Sequence, residues 1–581
     1  CPTMRKQYDT IKKVIYLLKP YLPILILSLG FAVVTVLCTL YAPILIGQGV
    51  DLILGKGKVD FQGITEILMK LAAVTILTSI TQWLMNLCNN RITYRVVNDV
   101  RTDAFEHLQK LPLKYIDSHQ YGEIISRVIT DVEQFSDGLL MGFSQLFTGI
   151  VTIVGTLIFM VSIHFQISLI VILITPLSFF VAGFVAKKTY MMFRKQSEVR
   201  GELTSLTDEI VGNQKIVQAF GYQDRAMKRF KKVNEELKDC SVKAIFFSSI
   251  TNPTTRFING LVYAGVGITG AIFAIHGRIS VGQLSSFLSY ANQYTKPFNE
   301  ISGVVTELQN ALACARRVFD FMEEQEEKED AKEKEILEKA DGNVELKEVS
   351  FSYQPDKELL KNLNLNVKAG QKIAIVGPTG CGKTTLINLL MRFYDIDSGK
   401  MVVSGRDVKD ITKDSLRANY GMVLQETWLK SCSIADNIAY GKPDATREEI
   451  ERAAKKAFAH GFIQRMENGY DTIITEEGGN LSQGQKQLIC IARVMLQLPS
   501  MLILDEATSS IDTRTEVKVQ DAFRQMMEGR TSFIVAHRLS TIQEADCILV
   551  MRDGNIIEQG KHEELLQKEG FYAELYKSQF H

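Results

Sequence analysis

Residues 371–376, Gln-Lys-Ile-Ala-Ile-Val, form a short apolar run that leads into Gly377-Pro378-Thr379-Gly380-Cys381-Gly382-Lys383-Thr384. A helical pattern follows from Thr385. Strand, glycine-rich loop and helix in this order make a phosphate cradle, because glycines let successive N–H groups wrap an anion at a helix start. Lys383 is placed to reach the β- and γ-phosphates of a nucleotide, and the Thr384 hydroxyl to bind Mg²⁺. A second apolar run, Ser500 to Leu504, ends in Asp505 and Glu506. Asp505 suits a magnesium ligand acting through water, and Glu506 a group that orients and polarises an attacking water. Two acids after a strand say little alone. Downstream of a phosphate loop they point to nucleoside triphosphate hydrolysis.

The elements that must position these residues occupy less than half of the chain. Its 581 residues exceed one domain. The 66 basic and 66 acidic residues balance, so net charge offers nothing to nucleic acid. The nine cysteines show no metal-ligand spacing and read as scattered reduced thiols, with Cys381 a small filler in the loop. Met4 reads as the natural start, and no cleavable secretion signal is evident.

Before about residue 320 lie the long apolar runs. Pro20–Val50, Leu71–Asn90, two helices within Gly138–Ala186 broken near His164-Phe165-Gln166, Phe257–Gly277, and Ile279 past Lys296 give six membrane helices. Basic residues crowd the 91–137 and 187–243 connections and are sparse in the others, which predicts both termini in the cytoplasm. Those two connections are rich in helix formers, so the membrane helices should extend into the cytosol. Each has one break, at Leu111-Pro112 and near Gly221, leaving a short transverse helix at each tip that presses on a soluble domain. Asn252, Arg256, Asn259, Asn292, Gln293, Lys296 and Glu300 fall on helices five and six. They either line a substrate passage or pair at the inner interface, and the sequence does not separate the two. Residues 321–341 are dense in both charges and read as a solvated linker. The expected division is 1–320 membrane domain, 321–341 linker, 342–581 nucleotide-binding domain.

With these motifs in order, the chain resembles the ABC transporter family, in particular bacterial exporters with six membrane helices fused ahead of one cassette. The resemblance implies a membrane α-helical bundle plus an α/β phosphate-loop cassette. ATP and Mg²⁺ are the implied cofactors, and ATP hydrolysis is coupled to transport. It implies that Gly377 to Thr385 hold the phosphates, and that Tyr353 stacks on adenine. Gln425 contacts Mg²⁺ beside Thr384 and Asp505. His537 holds γ-phosphate and water as a catalytic partner of Glu506 and Lys383. Leu481-Ser482-Gln483-Gly484-Gln485 matches the signature, so Ser482, Gly484 and Gln485 serve the nucleotide of a partner cassette. Asp512 belongs to the loop linking the two sites. Glu476-Glu477 lies where exporters contact the transverse helices.

Two departures bear on the partner. Gln483 stands where the signature usually has Gly, and Ser-Ser-Ile-Asp replaces Ser-Ala-Leu-Asp. Similar departures occur in heterodimeric exporters with unequal sites, so the reading leans to a second, unlike half-transporter over a homodimer. The expected activity is export of lipophilic or amphipathic, multidrug-like compounds from a bilayer-embedded site. Lipid flipping and a regulatory membrane ATPase are the alternatives.

Overall fold

The computed structural model describes residues 2–53, 59–327, 330–331, 334–354, 359–424, 427–475, 480–505, 512–535 and 539–580. The chain divides into two compact units. One comprises residues up to Leu111 and His119–Glu326, and the other Pro112–Ser118 with Glu327 onward.

The first unit is all helix. Its elements are α1 (Pro2–Leu18), α2 (Leu22–Asp51), α3 (Phe61–Lys110), α5 (Tyr121–Val128), α6 (Thr130–Met141), α7 (Phe147–Ile163), α8 (Phe165–Gly212), α9 (Gln214–Ala219), α10 (Gln223–Ile275) and α11 (Val281–Met322). The short helix α4 (Leu113–Ser118) belongs to the second unit. Among the described residues this gives six helical passes, with α6 and α7 joined through a wide π-turn at Gly142–Leu146 to make the third. Among the described residues, three stretches are long and apolar enough to cross a membrane: Tyr8–Asp51, Phe61–Lys110 and Tyr121–Ile163, with Asn259–Ile275 a shorter apolar helix.

Length and burial follow from the sequence. The bundle buries Leu40, Met160, Ile167, Phe287 and Tyr290 together, and the Tyr290 hydroxyl donates to the Leu40 carbonyl at 2.6 Å. Helices α2 and α11 cross at Gly47 and Gly282, where a Cβ on Gly282 would lie 1.9 Å from the Gly47 carbonyl oxygen. Only glycine permits that approach. Asp51 then locks the crossing, accepting from the Ser280 hydroxyl at 2.6 Å and the Gly282 N–H at 2.7 Å. Farther along the bundle, Asp131 of α6 is buried and takes two bonds from the Arg317 guanidinium of α11.

The second unit holds β1 (Val344–Phe351), β2 (Leu360–Val367), β3 (Lys372–Val376), α12 (Lys383–Leu390), β4 (Ser398–Val403), β5 (Arg406–Asp407), α13 (Lys413–Ala418), β6 (Tyr420–Val423), α14 (Ile434–Ile438), α15 (Arg447–Lys456), α16 (His460–Ile463), α17 (Gln483–Gln497), β7 (Met501–Asp505), α18 (Thr513–Met527), β8 (Thr531–Val535), β9 (Cys547–Arg552) and β10 (Asn555–Gly560). One sheet runs β10-β9-β3-β8-β7-β6, parallel from β9 to β6 with β10 antiparallel at its edge; a smaller antiparallel sheet runs β2-β1-β4-β5. The central strands carry unbroken apolar runs, Ile373–Val376, Met501–Leu504 and Phe533–Val535, because both faces are covered. Ala374 and Val376 of β3, with Leu502 and Leu504 of β7, enter one core. Ile373 and Ile375, with Met501 and Ile503, enter the other.

The charged stretch after α11 is not the solvated linker its composition suggests. Where described, it is laid onto the cassette. Lys413 donates its N–H to Asp330 at 2.5 Å and its ammonium to Glu327 at 2.6 Å. Glu335 pairs with Ile411, and Leu337 and Ala340 are buried in the second core. Alternating charge conceals this, because the two buried apolar residues are spaced among the charged ones.

Candidate nucleotide site and coupling surface

The parallel register brings the chemistry to one edge. Ile375 of β3 lies opposite Val535 of β8, Val535 opposite Asp505 of β7, and Leu504 opposite Val423 of β6. The chain therefore leaves the carboxyl ends of four adjacent strands into the phosphate loop, toward His537, into Glu506, and toward Gln425. That edge is where open α/β sheets bind ligands. Gln425, Glu506 and His537 themselves, with Glu476 and Glu477, lie outside the described residues.

The phosphate loop fits a nucleotide by its backbone. Gly377, Gly380 and Gly382 have φ of 155°, 83° and 103°. A Cβ on Gly377 would lie 2.2 Å from the Met551 carbonyl oxygen, so the loop's first turn requires glycine. Lys383 folds over the loop and donates to the carbonyls of Gly377 at 2.8 Å and Pro378 at 3.0 Å. Its ammonium is thus held within the turn that the phosphates would share. Thr384 is exposed at the first turn of α12, while Thr385 is buried beneath it. The Thr384 hydroxyl and the Asp505 carboxylate at the end of β7 are hard oxygen donors, the kind that would suit Mg²⁺. Cys381 is buried, and burial pushes its thiol above the ordinary range. That is the environment of an inert filler.

Tyr353 sits half-exposed after β1. Its ring meets Phe351 edge-on at 4.9 Å and Tyr394 at 5.0 Å, and its hydroxyl accepts from the Asn388 amide at 3.3 Å. An exposed ring face held at its edge is suited to stacking on a base. Tyr394 carries the contact onward, since its hydroxyl donates to the Asp117 carboxylate of α4 at 2.5 Å. Burial, first, and then Asp117 hold that phenol well above the usual tyrosine range. Leu113 of α4 packs on the same core. Sequence reasoning expected a transverse helix here but missed Tyr394, which reads in the sequence as an ordinary core aromatic after α12.

Ser482 is the N-cap of α17. Its hydroxyl accepts from the Gln485 N–H at 3.3 Å, and the Gln485 side chain accepts from the Ser482 N–H at 2.9 Å. This reciprocal cap aims an exposed serine and a helix start outward while Gly484 is buried behind them. Gln483 does not disturb the cap. It turns aside and donates to the Thr427 hydroxyl at 3.1 Å, just past Gln425 in the chain. Asp512 caps α18, accepting from the Thr515 N–H at 3.0 Å, which holds its carboxyl below the usual range.

The second tip, α9, has no buried residue and stays in the membrane unit. Phe220 beside it is 82% exposed and Ile216 57%. A groove of about 290 Å³ lies next to it, walled by Ile210, Val211, Val217, Met227 and Phe230.

Comparison with known proteins agrees with this geometry. Residues 25–298 match the family model of the ABC transporter transmembrane region, and residues 360–509 match that described as ABC transporter. A fatty acid ABC transporter ATP-binding/permease protein of Mycobacterium bovis is 40% identical over 91% of this chain and 83% of its own. The ATP-dependent lipid A-core flippase of Escherichia coli K12 is 34% identical over 90% of each chain. Among solved structures, a bacterial Atm1-family ABC exporter with ATP bound superposes with a TM-score of 0.76 at 28% identity, over 97% of this chain and 99% of that one. The chain is a member of the ABC transporter family, a half-transporter of the exporter type with one multi-pass membrane domain fused to one ATP-hydrolysing cassette.

Proposed function

We propose that two such chains form an exporter that moves a lipid-like amphiphile from the inner leaflet outward by alternating access, with both termini in the cytoplasm at the inner membrane. The observation that carries the pairing is the unequal fate of the two tips. Helix α4 is built into this chain's own cassette unit, whereas α9 presents bare apolar side chains that a second cassette would cover. Two departures pointed to an unlike partner: Gln483 leaves the Ser482 cap beside it intact, and Ser509-Ser510-Ile511 of the linking loop lies outside the described residues. An identical second copy suffices. The lipid-like substrate is supported by the named activities of the fatty acid and lipid A-core relatives.

In this reading ATP is clasped between the Lys383 loop of one chain and the Ser482 helix start of the other. Thr384, Asp505 and Gln425 would hold Mg²⁺, which when bound offsets charge on the β- and γ-phosphates. Tyr353 positions adenine. Glu506 polarises the attacking water and His537 orients it. Cassette closure pulls on α4 through Tyr394 and Asp117, and ATP favours the closed state because only there does it meet both cassettes. The test is reconstitution in liposomes with flux and ATPase read together. Wild type should move a lipid amphiphile only with ATP. Glu506→Gln should bind ATP yet lose most turnover and flux; a variant that turns over normally contradicts the assignment.

A further inference from the structure

The acidic run that follows α11 changes partners at one peptide bond. Glu323 and Glu326 belong to the first unit, and Glu327 and Asp330 to the second. Within the first unit, Glu323 pairs with Lys13 of α1, whose ammonium also lies over the Phe319 ring at 5.6 Å. Helix α1 is itself seated, because Val14 is buried in one core with Val318 and Phe319 of α11 and Val96 and Val100 of α3. Glu326 meets His107 Nδ1 of α3 at 3.2 Å. An ionised carboxylate only accepts, so Nδ1 is the protonated nitrogen of this pair. His107 is 8% exposed, its ring meets Phe321 edge-on at 5.7 Å, and its Nε2 is buried with no partner among the described residues. Glu326 is therefore the polar group that holds the ring.

Within the second unit the strap is anchored by charge and by backbone. The Glu327 carboxylate takes the Lys413 ammonium at 2.6 Å and lies 3.7 Å from the Arg417 guanidinium. Asp330 accepts from the Lys413 N–H and pairs with Lys334 at 2.8 Å. Farther on, the Glu335 N–H donates to the Asp410 carbonyl at 2.9 Å, and the Ala340 N–H to the Asn419 side chain at 2.7 Å. The last anchor of one unit and the first anchor of the other are thus consecutive residues, with Cα atoms about 3.8 Å apart by covalent geometry. A tether that only kept the units together would leave free residues between those anchors. Exposed ion pairs add little to stability, so what these contribute is position.

His107 adds a second consequence. It lies in the last turn of α3, and the chain enters the second unit between Leu111 and Pro112. One side-chain contact therefore joins the two places where α3 and α11 pass the chain onward. A displacement that arrives at either is shared by both helices.

We propose that Glu323, Glu326, Glu327 and Asp330 form an ionic splice without slack, which passes cassette motion to α3 and α11 together, with Lys13 and His107 as its positioning residues. This is a second coupling route within one chain, parallel to α4. It rests on the exporter reading only through the amphiphile whose flux is measured.

The test reads ATP-dependent flux per ATP hydrolysed in liposomes, and hydrogen exchange of α11 as a measure that needs no transported compound. A four-residue Gly-Ser insert between Glu326 and Glu327 adds roughly 10–12 Å of slack. Flux per ATP should fall by at least about fivefold. The change in exchange that ATP with vanadate produces over residues 304–322 should be lost, while protection over residues 377–385 persists and verifies a folded, nucleotide-binding cassette. Glu323→Ala with Glu326→Ala should act in the same direction, and the insert added to that variant should do little more, since both break one connection. Lys13→Glu with Glu323→Lys reverses the outer pair and should keep wild-type coupling. An insert that retains wild-type flux per ATP and the nucleotide response of α11 overturns the splice and leaves the exporter standing. Wild-type α11 that ignores nucleotide also overturns the splice. Wild type that moves no amphiphile overturns the exporter reading, and the exchange of α11 then decides the splice by itself.

Discussion

Lys383 and Cys381 sit two residues apart in one loop and divide its chemistry between a charge and a filler. On the proposed reading Lys383 would exchange its two carbonyl contacts for phosphate oxygens, and charge-assisted bonds contribute about 1.5–3 kcal/mol. Lys383→Ala should therefore weaken ATP binding by roughly 10- to 100-fold in a calorimetric titration. Cys381 is buried with its thiol pushed up, so it stays protonated, and unreactive, at neutral pH. Maleimide labelling of folded protein should spare it while reaching more exposed cysteines, and Cys381→Ala should keep turnover. These residues were legible in the sequence because a phosphate loop is local: spacing along the chain is spacing in space. The Tyr394–Asp117 bond was not, because its partners are 277 residues apart. Nor was the Gln483–Thr427 bond, which joins a helix start to a loop 56 residues earlier.

Among elements, α4 and the charged stretch after α11 fix the cassette's mechanical connections. Tyr394→Phe removes only a hydroxyl, and Asp117→Asn only a charge. Each should lower substrate stimulation of ATPase while leaving the affinity for ATP within about threefold, since one part-buried bond to α4 changes little at the nucleotide itself. Loss of ATP binding on a par with Lys383→Ala would contradict a coupling role. Burial works against ionisation of Asp330, but its bonds with Lys334 and the Lys413 N–H win and hold the carboxyl below its usual range. Its contribution to docking is thus fully present above the ordinary carboxylate pKa and is lost as pH falls through the depressed one. Thermal melts should show a drop in stability on acidification that Asp330→Asn reduces. Buried Asp131 and its Arg317 pair give a further check: Asp131→Asn should cost about 1–3 kcal/mol in denaturant unfolding. Helix periodicity and apolar length made the membrane bundle readable, and the two tip helices were readable from Pro112 and Gly221. Which tip joins which cassette depends on contacts between distant segments, and sequence pattern is blind to them.

Across the whole molecule, the proposed pairing requires that one chain supply half of each of two sites. The phosphate loop and the sheet edge form one half, the capped Ser482 helix start the other, and the uncovered α9 tip is the mechanical counterpart. Mixing tests this directly. Lys383→Ala and Ser482→Arg chains should each be nearly inactive alone, because every composite site then lacks one half. Co-assembled, the two variants create one site with both halves intact, and ATPase turnover in the mixed dimer should rise well above that of either parent. No recovery in verified mixed dimers would mean that each cassette works with its own signature, and the account of a shared nucleotide would be wrong.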